Sequence, residues 1–289
     1  KDFYSCDAGI VGALVNRWQT TGTVVGVADG IVNLLSSEGI LITLTTRLSA
    51  LSPHAIILDD ADLLAVPEIG TEASADLLQG FVTFSNGRSV VCGISLRKAV
   101  RWSGRIRRSA ASAFGARISR RGRASLLSLL AGRGSPEGLL GLVADTSDSP
   151  AARFARTFFC ARRGGSETRP AAATLDRGLG SLVGLGPGLT PSGDDFVTGY
   201  LLAKVIAGES LARAAASSIR SRLGSTSPAG RTLLSAALDR RFPHYLHEFV
   251  EAWAEAKDAE GEEEAVSKAL SHGSTSGTDA LAGLVFGLD

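Results

Sequence analysis

Between residues 22 and 95 the apolar positions fall in short runs: GTVVGVA, ILITLTT, HAIIL, GFVTF and SVVCGI. Gly, Pro, Asn or Ser clusters separate most of them, a pattern that predicts β-strands. Asn86-Gly87, between FVTFS and RSVVCG, predicts a hairpin turn. The runs follow too closely for crossover helices, so the sheet is expected to be mainly antiparallel, open or closed into a barrel. Residues 7 to 19 fit a helix or a lead-in strand equally well.

From about residue 98 the texture turns to Ala, Leu and Arg. Segments 107–131, 150–163, 195–207, 209–223, 229–241, 244–259 and 262–271 suit helices. GRGSPEG (132–138) and DTSDSP (145–150) punctuate them. The expected class is α+β, with a β-rich N-terminal domain over 1–104 and a larger helical domain over 105–289.

Composition adds a few exclusions. The 289 residues are 44% hydrophobic and 20% charged with a net charge of +1, so a buried core is expected and a surface built for nucleic acid is not. The 34 glycines follow no collagen-like period and belong in turns and close helix contacts. Cys6, Cys92 and Cys160 are few, scattered and odd in number, which suits free thiols in a reducing cytoplasm. No apolar run reaches the ~18 residues of a membrane helix, and KDFYSCDAGIVGALVNRW lacks a secretory layout. Charge is segregated: residues 77–136 hold twelve bases and no acid, whereas 248–264 hold eight acids and Lys257. The basic stretch could meet an anion, an acidic partner or nucleic acid, or be neutralised by the acidic one.

The segment richest in chemistry runs from Gly184 to Phe196, GLGPGLTPSGDDF, and continues as the apolar pattern FVTGYLLAKVIAG. Glycines allow positive φ and close ligand approach, prolines stiffen the path, and a helix start offers N–H groups to an anion. Gly186, Gly188, Thr190, Ser192 and Gly193 are the candidate anion-binding residues. Asp194 and Asp195 carry the wrong sign for an anion but suit Mg²⁺ bridging to one. The loop lacks GK[ST] and is not a GxGxxG motif within a βαβ unit. A purely local reading makes Ser192 a helix cap, with Asp195 completing a capping box.

The pattern recurs 84 residues on, where Ser276-Gly277-Thr278-Asp279 precedes Gly283 as Ser192-Gly193-Asp194-Asp195 precedes Gly199. Thr275 matches Thr190 if Pro191 is an insertion. Two capped helix starts facing one site would bring Ser276, Gly277 and Asp279 to the first loop, and Gly199 and Gly283 would let the helices pack closely. Two unrelated capped helices are the alternative. His244 and His247, three apart without a third ligand, read as exposed helix residues; His272, just before Gly273-Ser274, is the histidine nearest the candidate chemistry.

GLGPGLTPSGDDFVTGYL resembles the signature of the AllH (YlbF-like) family. GVADGIVNLLSSEGILITLTT is similar to that family's N-terminal strand region, with Asn33-Leu34 on its Asn-Leu, and Ala99-Val100-Arg101-Trp102 falls where a Trp follows its last strands. RTLLSAALDRRFPHYLHEFVEA and GSTSGTDALAGLVFGL resemble its two C-terminal blocks, so the likeness runs from about residue 24 to the end. The family often carries His where this chain has Gly273-Ser274-Thr275, which leaves the role of that block open.

The resemblance implies a part in allantoin and purine breakdown. One family member is a subunit of oxamate carbamoyltransferase, which interconverts oxalurate plus phosphate with oxamate plus carbamoyl phosphate and is assembled with FdrA-like and YlbE-like partners. It brings no catalytic residue assignment. The expectation is a cytoplasmic subunit whose loop binds phosphate or carbamoyl phosphate, with Asp194 or Asp195 and Asp279 holding Mg²⁺ or orienting an amide nitrogen. An Arg such as Arg101 would clamp substrate carboxylates. The alternative is a non-catalytic ligand-binding or scaffold subunit. Neither membrane nor nucleic acid is expected as a partner.

Overall fold

The computed structural model describes residues 4–15, 20–28, 30–59, 70, 73–78, 80–87, 89–118, 120–144, 148–159 and 178–288. The chain divides into two compact units, Lys1–Arg105 and Ile106–Asp289. Cys160 and the side chain of Cys6 lie outside the described residues, and Cys92 is a buried free thiol.

The first unit is built from strands β1 (Tyr4–Gly12), β2 (Thr20–Ala28), β3 (Ile31–Ser36), β4 (Leu41–Thr45), β5 (Ala55–Leu58), β6 (Ser74–Leu78), β7 (Phe81–Asn86), β8 (Ser89–Ser95) and β9 (Val100–Trp102). They form one curled sheet in the order β5-β4-β3-β2-β6-β7-β8-β1-β9. β1 carries pairs on both of its edges. Ala8 to Val11 pair antiparallel with β5, while Tyr4 to Asp7 run parallel to β8 and Ile10 to Gly12 parallel to β9. Apart from β1–β8, β1–β9 and β4–β5, the described pairings are antiparallel, as expected.

Residues 7 to 12, which the sequence leaves between helix and strand, belong to β1. The Asn86-Gly87 turn joins β7 to β8 with Gly87 at φ 63, the left-handed backbone such hairpins need. Alternate residues turn inward: Val32 and Leu34, Ile42 and Leu44, Val82 and Phe84 form the core. β5 is buried throughout because Ile56 and Leu58 join that core while Ala55 and Ile57 meet Leu51, Ile10 and Trp102 on its other face.

The second unit contains helices α1 (Arg108–Arg117), α2 (Arg120–Arg133), α3 (Pro150–Phe159), α4 (Ser192–Ile206), α5 (Arg213–Arg222), α6 (Pro228–Leu238), α7 (His244–Glu255), α8 (Ala259–Leu270) and α9 (Ser276–Gly287). The single helix expected over 107–131 is therefore two, α1 ending where Ile118 leaves helical geometry. α4 and α9 are buried over most of their residues and form the centre of the unit. Helices apolar all round belong in such a position.

The segregated charges meet within this unit. Arg107 on the approach to α1 pairs with Glu251 on α7 at 2.9 Å, Arg117 with Glu262 on α8 at 2.9 Å, and Arg133 with Glu263. Ser125 donates to the other oxygen of Glu262 at 2.6 Å. Part of the basic stretch is thus neutralised by the acidic one.

Candidate functional site

The two Ser-Gly-x-Asp segments begin α4 and α9, and these two helices cross at their glycines. A Cβ on Gly199 would land on the carbonyl oxygen of Ala280, and one on Gly283 on that of Phe196. Only two hydrogens at each crossing point let the backbones approach so closely. The crossing brings the helix starts together: the hydroxyls of Thr190 and Ser276 lie 3.2 Å apart.

The approaches to the two helices are built alike. Gly186 (φ 105) folds back on Ser192, and Gly273 (φ 68) folds back on Ser276. Gly193 N–H donates to Leu185 O at 2.8 Å, and Gly277 N–H to His272 O at 3.0 Å. Neither serine is the cap. Pro191 and Thr275 hold the N-cap positions, and neither makes a side-chain cap bond. Ser192 and Ser276 are instead the first residues of their helices, and each hydroxyl serves the acid of the neighbouring helix.

That service is reciprocal. The Asp195 carboxylate is bonded by Ser276 and Thr190, and the Asp279 carboxylate by Ser192 and Thr275. Leu139 N–H adds a 2.5 Å bond to Asp279 Oδ1. Each helix thus contributes an acid that reaches the first serine of the other. Asp195 is 3% exposed and Asp279 0%, and the Oδ2 atom of each has no hydrogen-bond partner.

The electrostatics follow from burial. Loss of water pushes the Asp195 carboxyl well above its ordinary range, and the negative charges of Asp279 and Asp194 push it further. Burial lifts Asp279 to about 6 against the opposing bonds from Leu139, Ser192 and Thr275. Burial, and then the charges of Asp195 and Asp279, push the Tyr245 phenol on α7 well above its ordinary range. His272 stacks on the Tyr245 ring at 3.9 Å with 12° between planes, and burial lowers its pKa.

Thr190, Ser192, Asp195, Ser276 and Asp279 therefore converge. The other expected residues of this unit do not. Asp194 turns away, accepting Gly184 N–H at 2.8 Å on Oδ1 and the Thr226 hydroxyl on Oδ2, which ties the loop to the start of α6. Gly193 and Gly277 pack against the carbonyls of Leu182 and Ala269, so they serve helix packing. Gly188 (φ 108) lies on the loop beside exposed Leu189. Arg101 sits on β9 in the other unit and is exposed. His247 is buried and His244 partly so, contrary to the exposed positions expected, because α7 turns its apolar Tyr245, Leu246 and Phe249 into the core beside them.

Among the described residues no group of three or more His, Cys, Asp or Glu is placed to hold a metal ion. Both oxygens of Asp194 are already bonded, which leaves the carboxylates of Asp195 and Asp279. Closed to solvent, they are a poor match for Mg²⁺, which keeps much of its water.

Tyr245 and the Leu139 amide belong to this site and were not singled out in the sequence. Nothing in FPHYLHEFVEA marks the tyrosine as facing acids, and a backbone N–H carries no residue-type signal. Residues 182–288 match the family model described as oxamate carbamoyltransferase subunit AllH. The match covers the helices bearing the site and not the strand region. No curated protein and no solved structure matches the chain.

Proposed function

Through residues 182–288 the chain belongs to the AllH family, and on that premise we propose that it is a subunit of a carbamoyltransferase of the oxamate type, its ligand seated where α4 and α9 begin. The observation that supports this most is the 3.2 Å approach of Thr190 and Ser276, with two buried acids reaching across to the opposite serines. Two helix starts aimed at one place supply positive dipole ends for a phosphate, a carbamoyl phosphate or a carboxylate.

The Gly193 and Gly277 amides already have internal partners, so the anion's contacts would fall on the hydroxyls of Thr190, Ser192 and Ser276, whose single protons must then turn from Asp195 and Asp279 to the ligand. Acyl transfer would gain from fixed positioning and from dipoles oriented before charge develops. Asp195 and Asp279 orient an amide nitrogen. FdrA-like and YlbE-like chains are the partners this reading calls for.

A second reading makes the chain a non-catalytic subunit whose loop completes a site elsewhere. Leu189, 66% exposed at the loop tip, favours it. Thermal denaturation of the chain with phosphate, carbamoyl phosphate, oxamate or ATP, each with and without Mg²⁺, separates the two. The first reading expects about 2.7 kcal/mol of stabilisation at a hundredfold excess over Kd, lost in Ser276→Ala. Stabilisation seen only after the partner chains are added supports the second. No response under either condition defeats both.

A further inference from the structure

We infer that Ser149 is a positioning residue for Asp279, acting through the single peptide group between Gly138 and Leu139, and that it thereby couples the start of α3 to the junction of α4 and α9. Its consequence for binding rests on the reading of that junction as the ligand site.

Gly138 closes GRGSPEG and Ser149 stands near the end of DTSDSP, two segments that the sequence marks only as breaks between helices. Ser149 is 8% exposed and caps α3, accepting Ala152 N–H on its hydroxyl at 3.0 Å and Arg153 N–H on its carbonyl at 2.9 Å. A capping hydroxyl used as an acceptor still has one proton to give. Here it goes to Gly138 O at 2.5 Å. That carbonyl belongs to the same peptide group as Leu139 N–H, which donates to Asp279 Oδ1 at 2.5 Å. The donors therefore run one way, from Ala152 through Ser149 and the shared peptide to the carboxylate. Bonds in such a chain polarise one another, and this chain starts at the positive end of the α3 dipole.

The peptide is pressed onto α9. A Cβ on Gly138 would land on the Asp279 carboxylate, and one on Gly134 would sit 3.0 Å from Cγ2 of Thr278. Ser135 N–H donates to the Thr278 hydroxyl at 3.0 Å, a second backbone bond from the same segment to the same helix start. The arrangement matters most when a ligand arrives. An anion that takes the Ser192 hydroxyl takes it from Asp279, whose carboxylate is left with Thr275 and the Leu139 amide. Ser149 keeps that amide aimed and polarised.

The test combines carbon-13 NMR of the Asp279 carboxyl through a pH titration with calorimetric titration by inorganic phosphate at pH 7.5, both on the full chain. Ser149→Ala is expected to raise the Asp279 midpoint by about half a pH unit and to weaken phosphate binding about 3-fold, the effect of one weakened hydrogen bond. Ser149→Thr, which keeps the hydroxyl, should restore both. Asp258→Ala removes the cap of α8, where Asp258 accepts Gly261 N–H at 3.0 Å, and should lower the melting temperature while changing neither. An Asp279 midpoint that stays put in Ser149→Ala, or moves as far in Asp258→Ala, overturns the inference and leaves Ser149 a helix cap. Should Ser149→Ala not fold, the wild type decides: the Ala152 amide signal must follow the Asp279 titration, and a signal that ignores it overturns the inference. If the wild type binds no phosphate, the functional reading fails, while the Asp279 titration still decides whether Ser149 positions that acid.

Discussion

Gly199 on α4 and Gly283 on α9 each lie against a backbone carbonyl of the other helix, Ala280 for the first and Phe196 for the second. Three residues upstream of that crossing, on each helix, lie Phe196 and Ala280, and one further back the acids Asp195 and Asp279. The crossing therefore sets the separation of the acids.

A methyl at either glycine must push the helices apart. Gly199→Ala is expected to destabilise the protein by about 2–3 kcal/mol despite the better helix propensity of Ala. Gly283→Ala should do the same, and the double variant should lose less than the sum, since one separation relieves both clashes. Urea denaturation of the three variants checks this; a Gly199→Ala protein as stable as wild type would refute the close crossing.

The pH dependence has a definite sign. Asp279, raised from 3.8 to about 6, holds its proton more tightly when folded, and Asp195 does so too. The contribution of Asp279 to stability is full below about pH 4 and is lost as pH rises through about 6, and Asp195 acts in the same direction. His272 acts oppositely: its lowered pKa makes its contribution full above 6.5 and lost on acidification. Asp279→Asn keeps an acceptor for the Leu139 amide and removes the buried charge. It should gain up to about 3 kcal/mol over wild type at pH 7.5 and nothing at pH 4. The same difference at both pH values would show that Asp279 is ionised in neither or in both.

Much of this was legible in the chain. The twin Ser-Gly-x-Asp segments, their glycines four residues beyond the acids, and the apolar continuations predicted two buried helices that meet. Ser192 was misread as a cap because local pattern rules see only the next turn; its partner, Asp279, lies 87 residues away. The adjacent acids Asp194 and Asp195 are indistinguishable in sequence. They part because successive helical positions point about 100° apart, one toward Gly184 and Thr226, the other toward α9. In the sheet, β3 and β6 went unread because IVNLLS and SADLL carry polar residues at their centres. Their strand character comes from neighbours on both edges.

Burial and the charges of Asp195 and Asp279 push the Tyr245 phenol well above its ordinary range, so it should resist ionisation on alkaline titration. The chain has three tyrosines. Alkaline titration followed at 295 nm should give the same amplitude below pH 11 for wild type and Tyr245→Phe. A smaller amplitude in the variant would mean that the phenol is wet.

The charge pairs between α1–α2 and α7–α8 should be unequal. Glu262, with its side chain 15% exposed, takes both Arg117 and Ser125, whereas Glu263 is 46% exposed beside Arg133. Glu262→Gln is expected to cost about 1 kcal/mol and Glu263→Gln less than about 0.5, by thermal denaturation in 0.15 M salt. The reverse order would mean that the buried triad is not formed.

The position of β1 has a consequence for synthesis. The strand leaves the ribosome before its partners β5, β8 and β9, the last of them ending at Trp102. Until β5 has emerged β1 has no partner, and until β8 and β9 have emerged its other edge stays open, while the hairpins β2–β3–β4 and β6–β7–β8 can form locally. Long-range pairing of this kind is slow to form, and the exposed strand is a target for chaperones or for another copy of itself. The step that closes the sheet is the one in which its first strand meets its last two.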